Sequence, residues 1–231
     1  LAGNQQVCRV DREDTAPVGP DILERLGRRL TEIIENGDVD AVIFEDYAKG
    51  LLSGGFVREM VTVARRRGAL TALDPHPSQA YCAKGLDLLT PNRAEAFGLA
   101  GMYYRPGVLP LEKDTALLEV GQRLQDQWDV RVLLITLGGD GMALFTGEEP
   151  PVHIPARARE VFDVSGAGDT VMASCMLSLL AGAEPVDAAV IANHAAGIVV
   201  AKVGTVAVTA EELTASFSED HEAEEGGFSG P

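Results

Sequence analysis

Four short apolar runs set the terms for this chain: AVIFE at 41–45, LTALD at 70–74, LDLL at 86–89 and VLLIT at 132–136. Each is the length of a strand, and the first, within DAVIFED, is continuously apolar, as expected of a strand buried on both faces. Helical patterns separate them. Ile22, Leu26, Leu30, Ile33 and Ile34 recur at helical spacing, with Pro20 suited to the first turn and Gly37 to the stop. Phe56, Met60, Val63 and Ala64 mark a second helix, and Leu117, Leu118 and Leu124 another after RAEAFGLAG. Strands that alternate with helices need crossovers, and crossovers make parallel sheets. The fold class is therefore α/β, three-layered, with a mostly parallel central sheet. TLGGDGMALF at 136–145 adds a hairpin, and PVHIPARAR a further extended piece. Two helices close the pattern, from Gly168 to Ala181 and from Pro185 to Lys202.

The segment QQVCRVDRED at 5–14 alternates polar and apolar residues, so it reads as a strand with one face exposed. Being more polar than the other strands, it reads as part of a small separate sheet rather than the main one. Residues 1–217 form one domain. The remaining SEDHEAEEGGFSGP, 218–231, is acidic with little to bury and reads as a disordered tail.

Charge excludes some partners. Lys and Arg number 19 against 35 Asp and Glu, for a net −16. Such a surface repels nucleic acid backbones and anionic membranes. A phosphorylated small molecule stays compatible, because local cations or a metal override the global field. Cys8, Cys82 and Cys175 are far apart and without a CxxC, so they read as reduced thiols. With no bilayer-length apolar run and no signal-peptide pattern, the expected compartment is the cytoplasm.

Polar groups gather where such a sheet binds ligands. Asp46, Asp74, Asn92 and Thr136 each fall at the carboxyl end of an apolar run, the edge at which open parallel sheets hold ligands. They are also ordinary turn residues. Gly166, Ala167, Gly168 and Asp169 stand at the mouth of a helix whose first amides lack partners. That arrangement either turns the chain or holds an anion beside a base. Asn92 and Glu95, three apart at a helix start, make a capping box or face a hydrated magnesium ion. Gly138 and Gly141 serve a hairpin turn or let a nucleotide lie against the backbone. Lys49 is a solvated lysine or a phosphate partner. There is no GxxxxGK[ST], which excludes a Walker loop, and the HRD and DFG signatures of protein kinases are also missing.

DVSGAGDT at 163–170, TPNRAE at 90–95, TLGGDGM at 136–142 and ANHAAGIVVAKVGT at 192–205 occur together and in order. In these segments the chain resembles the ribokinase-like, or PfkB, carbohydrate kinases over residues 1–213. NQQVCRVDRED, EDYAKGLL, LDPHP and LLTPNRAEAF further resemble segments of the bacterial heptose 7-phosphate kinases of ADP-heptose synthesis.

The resemblance implies a ribokinase-like fold and an ATP- and magnesium-dependent transfer to the anomeric hydroxyl of a heptose 7-phosphate. It implies Asp169 as catalytic base and Gly166, Ala167 and Gly168 as an anion hole. It places Asn92 and Glu95 with magnesium and the nucleotide phosphates, Thr136, Gly138 and Gly141 along the nucleotide, and Asn193 near the adenine. Asp46 and Lys49 are placed near the phosphates or the sugar, and Asn4, Arg9 and Asp11 near the sugar on the lid strand. It suggests a homodimer through that strand. The alternatives are another sugar or nucleoside kinase of the same fold, or a nucleotide-binding module without catalysis. The family's first strands and a glycine pair at the sugar would precede the lid segment, and a sheet without them would show an apolar edge. No stretch of the 231 residues resembles the nucleotidyltransferase domain of bifunctional relatives.

Overall fold

The structure, a computed structural model, describes residues 10, 12–76, 78, 81–147, 149–157 and 162–226. Among these residues six strands lie in the order β1-β2-β3-β4-β5-β6. They are β1 (Ala41–Glu45), β2 (Leu70–Asp74), β3 (Leu88–Leu89), β4 (Val132–Thr136), β5 (Met142–Phe145) and β6 (Val152–Ile154). The first four pair in parallel, with Phe44 beside Leu73 and Leu89 beside Leu133. β5 and β6 add on antiparallel, and Ile135 stands opposite Ala143 in the expected hairpin.

Period-2 alternation sorts the side chains into two cores. Leu73, Leu89, Leu133, Ile135 and Phe145 face one side. There they meet α1 (Pro20–Asn36), α2 (Gly54–Arg67), α3 (Arg93–Leu99) and α4 (Thr115–Trp128). Ala72, Leu88, Val132, Leu134 and Leu144 face the other side, under α5 (Ala167–Leu180) and α6 (Pro185–Val200). The three-layer expectation holds. Helix α1 stops at Gly37, whose φ of 77° is left-handed and suits a residue without Cβ. Packing against the sheet is close enough to exclude a methyl group at Gly121 of α4, where a Cβ would lie 2.1 Å from the Phe145 ring.

Two expectations need correction, and a third is mostly untested. β1 is not buried on both faces: it pairs with β2 alone among the described residues, and Ile43 is 39% exposed. An apolar run shows that a strand is rich in large side chains, not that both of its faces are covered. The described part of the tail, up to residue 226, is helical, because α7 (Ala210–Gly226) continues past residue 218. Ala and Glu are strong helix formers, and Glu211 and Glu212 in the first turn complement the helix dipole. The lid strand lies mostly outside the described residues, and Val10 and residues 12–15 have no strand structure. No helix among the described residues is long and apolar enough to cross a membrane.

Candidate functional site

The carboxyl edge of the parallel strands carries the polar residues expected there. Asp74 ends β2 and Thr136 ends β4. Asn92 follows β3 and is tied to Thr136 by a parallel bridge, with the Thr136 amide donating to the Pro91 carbonyl at 3.0 Å. Asn92 also caps α3. Its Oδ1 accepts from the Glu95 amide at 3.0 Å, while Glu95 Oε2 accepts from the Asn92 amide at 2.8 Å. The capping box is real, and it stands at the same edge as the other candidates.

The glycine motif opens α5 as expected. Gly166 is its N-cap with φ 78°, and a Cβ there would come 3.1 Å from the Thr205 methyl group. The Ala167 amide closes a turn onto the Val164 carbonyl at 3.2 Å. No side chain caps the helix, so the amides of Gly168 and Asp169 open its first turn as donors. Asp163 braces the loop: one oxygen accepts from the Ser165 amide at 2.9 Å and the other from the Gly204 amide at 3.2 Å. These bonds hold its carboxyl below the usual carboxylate range.

Three acids converge beside this turn. Carboxylate oxygens of Glu45, Asp74 and Asp169 lie within 4.8 Å of one another. Burial, then the nearby Asp169, pushes the Glu45 carboxyl up to about 7. Burial also pushes Asp74 up to about 7, aided by Glu45, Glu95, Asp169 and Asp46 in that order. Glu45 Oε2 is buried and has no hydrogen-bond partner. An orphaned carboxylate oxygen among like charges calls for a cation. An all-oxygen donor set suits a hard ion such as magnesium, so these residues fit the metal that the sequence implies. Gly168 faces the same cluster, since a Cβ on it would stand 4.0 Å from Asp74 Oδ2.

Sequence reasoning missed Glu45 and Tyr47. Glu45 had a signal: it closes an otherwise apolar strand, where a carboxylate is costly unless it serves a ligand. Tyr47 had none. Its hydroxyl donates to Asp169 Oδ1 at 3.2 Å across 122 residues of sequence.

Other candidates have structural partners. Asp46 is 8% exposed, and its carboxylate accepts from the Ala48 amide and the Tyr81 hydroxyl, each at 2.9 Å. Lys49 pairs with Glu13. Asn193 is buried and donates to the Pro155 carbonyl at 2.7 Å, joining α6 to the end of β6. Gly141 has φ 89°, and a Cβ on it would lie 2.0 Å from the Ile154 carbonyl oxygen. Asn4, Arg9 and Asp11 lie outside the described residues.

The candidates line three clefts, two of which meet where Tyr47 touches Asp169. Asn92, Thr136 and Gly138 share a cleft of about 240 Å³. Gly166 and Asp169 line one of about 560 Å³ with Thr170 and Thr205. Asp46 and Lys49 share a third, of about 360 Å³, with Glu45 and Tyr47.

A crossover sheet with its acids at the carboxyl edge and a glycine turn opening a helix defines the ribokinase fold. The structure superimposes on Arabidopsis thaliana ribokinase complexed with ribose and ATP, with a TM-score of 0.63 and 21% identity over 87% of this chain and 59% of that one. It likewise matches Escherichia coli phosphofructokinase-2 in complex with potassium, with a TM-score of 0.72 and 13% identity over 88% of this chain and 63% of that one.

The sequence profile of the pfkB family carbohydrate kinases matches residues 30–212, and the chain belongs to that family. It is 39% identical to the bifunctional protein HldE of Geobacter sulfurreducens over 222 residues, 96% of this chain and 43% of that protein. The Caulobacter vibrioides protein of the same name is 41% identical over 219 residues, 94% of this chain and 43% of that protein. The chain thus spans less than half the length of these curated relatives.

Proposed function

We propose that this chain transfers the γ-phosphoryl group of ATP to the anomeric hydroxyl of a heptose 7-phosphate, giving the 1,7-bisphosphate. The observation that carries the reading is Asp169 in the first turn of α5, beside the open amides of that turn and facing Asp74 and Glu45. The likeness of EDYAKGLL, LDPHP and LLTPNRAEAF to heptose 7-phosphate kinases supports the choice of acceptor.

In this reading Asp169 accepts the proton of the C1 hydroxyl as its oxygen bonds to the γ-phosphorus. The bond from that phosphorus to the β–γ bridging oxygen breaks, and ADP carries the electron pair away. Amides of Gly168 and Asp169, with the dipole of α5, stabilise the charge that gathers on the phosphoryl oxygens. Asn92, Thr136 and Gly138 line the nucleotide, with Gly141 shaping the turn that holds Gly138. Glu45 and Asp74 would hold magnesium, with Asn92 and Glu95 beside them, and the ion would supply positive charge against the phosphates. Partners are small molecules, with cytoplasmic operation and a homodimer through the lid strand completing the proposal.

The test is direct. The chain is incubated with ATP, magnesium and heptose 7-phosphate, and ADP and the bisphosphate are measured. The same assay is run with ribose and with fructose 6-phosphate. Coupled formation of ADP and heptose bisphosphate supports the reading. Faster turnover of ribose or fructose 6-phosphate would overturn the choice of acceptor. ATP binding without transfer would leave a nucleotide-binding module.

A further inference from the structure

The turn that follows β1 is fixed more firmly than a surface turn requires. Asp46 has both carboxylate oxygens engaged, by the Ala48 amide and the Tyr81 hydroxyl, and its own amide donates to the Asp74 carbonyl at 3.0 Å. Ala48 is held at φ 54°, a left-handed conformation unfavourable for a residue with a Cβ. Two residues on, Gly50 has φ 77° and sits so close to the preceding chain that a Cβ would stand 2.2 Å from the Ala16 carbonyl oxygen. The Val18 amide donates to the Gly50 carbonyl at 2.9 Å and closes that contact. Strain of this kind persists where the surroundings over-determine the backbone.

What the turn presents is Tyr47. Tyr47 is 57% exposed, so burial does not account for its placement. Its hydroxyl reaches across to Asp169 Oδ1 at 3.2 Å. Asp169 is exposed beside Glu45 and Asp74, so packing alone leaves its carboxylate free to rotate. A donor fixed by a rigid turn opposes that rotation. With Oδ1 held, Oδ2 is the oxygen left to take a proton.

We propose that Tyr47 is a positioning residue that aims the Asp169 carboxylate at the acceptor hydroxyl, with Asp46 and Tyr81 holding the turn that places it. The inference rests on Asp169 being the base, as proposed above. It adds a residue whose effect appears in the rate of transfer rather than in binding. Orientation of a catalytic group commonly controls rate in this way.

The test uses the full chain with ATP, magnesium and heptose 7-phosphate. Tyr47→Phe keeps the ring and removes the donor. Its kcat is expected to fall about 10-fold, with both KM values within about 2-fold of the parent. Its melting temperature should be unchanged, because the ring is exposed. Tyr81→Phe, which loosens the turn and leaves the Tyr47 hydroxyl in place, should lower kcat less. Combined with Tyr47→Phe it should add no further loss, since both act through one contact.

A parental kcat in Tyr47→Phe overturns the proposal. So does a raised KM with kcat intact, which would make Tyr47 a substrate contact. Fully additive losses in the double variant would also overturn it. Failure of the underlying reading shows elsewhere: in a parent that transfers nothing, or in an Asp169→Asn variant as active as the parent. Either result removes the base and Tyr47's role with it.

Discussion

Asn92 and Glu95 cap each other: the Asn92 side chain accepts from the Glu95 amide at 3.0 Å, and the Glu95 carboxylate accepts from the Asn92 amide at 2.8 Å. The pair therefore has a structural task whatever else it does, and α3 begins at the ligand edge because of it. The two tasks can be separated by substitution. Glu95→Gln keeps an acceptor for the Asn92 amide and removes the charge. Its stability should stay within about 0.5 kcal/mol of the parent, while half-maximal activity should need several-fold more magnesium. Asn92→Ala should cost about 1 kcal/mol through the lost cap. Chemical denaturation and a magnesium titration of the rate measure the two effects independently.

Gly141 divides the readings in another way. Its φ of 89° and the Ile154 carbonyl oxygen, 2.0 Å from any added Cβ, make it a backbone requirement of the β5–β6 register. Gly141→Ala should destabilise the fold by about 3 kcal/mol or more, from strain and overpacking together. Gly138 also has positive φ, 62°, but nothing lies within 4 Å of an added Cβ. Gly138→Ala should accordingly be the milder change, by denaturation midpoint.

The strand–helix alternation was readable because it follows from side-chain period alone. AVIFE, LTALD and VLLIT became strands at their expected positions, and Pro20 and Gly37 bounded α1 as expected. The site was readable only where local chemistry announces itself, as at Gly166 to Asp169 and at Asn92 with Glu95. What sequence could not give was contact across the sheet. Tyr47 meets Asp169 because β1 and α5 are brought together by packing, and no spacing in the chain encodes that. The same holds for Asn193, whose amide is bonded to Pro155 38 residues away. The exposed face of β1 was misread because apolar content reports what a strand would bury, not what covers it.

Glu45 makes stability depend on pH in the metal-free protein. Its ordinary value is 4.5, and in the fold it is pushed up to about 7; Asp74 moves from 3.8 to about 7. The fold therefore favours the protonated acids. Their contribution is fully present below the unfolded values near 4 and is lost as pH rises through about 7. Melting temperature should fall across that window and level off above it. Glu45→Gln should flatten part of the slope, melting higher than the parent at pH 8 and alike at pH 4. Magnesium at pH 8 should raise the parent's melting temperature more than the variant's, as expected if the carboxylates hold the ion. Differential scanning fluorimetry across pH, with and without magnesium, measures all of this.

Asp169 carries the heaviest consequence. It stands in the first turn of α5, and its carboxylate oxygen accepts from Tyr47 at 3.2 Å. Asp169→Asn preserves size and the acceptor for that hydroxyl but cannot take a proton. Turnover should fall by about 10² to 10⁴, the range for a lost general base. ATP affinity should stay within about 2-fold, because the amides of the α5 turn belong to the backbone and survive the change. The variant also removes one of three clustered acids, so its melting temperature at pH 8 should not fall. Steady-state kinetics with nucleotide-binding calorimetry separates the outcomes. A kcat unchanged by the substitution would remove the base from the mechanism. A collapse of ATP binding along with kcat would instead make Asp169 a nucleotide contact, and the proton would need another acceptor among Glu45 and Asp74.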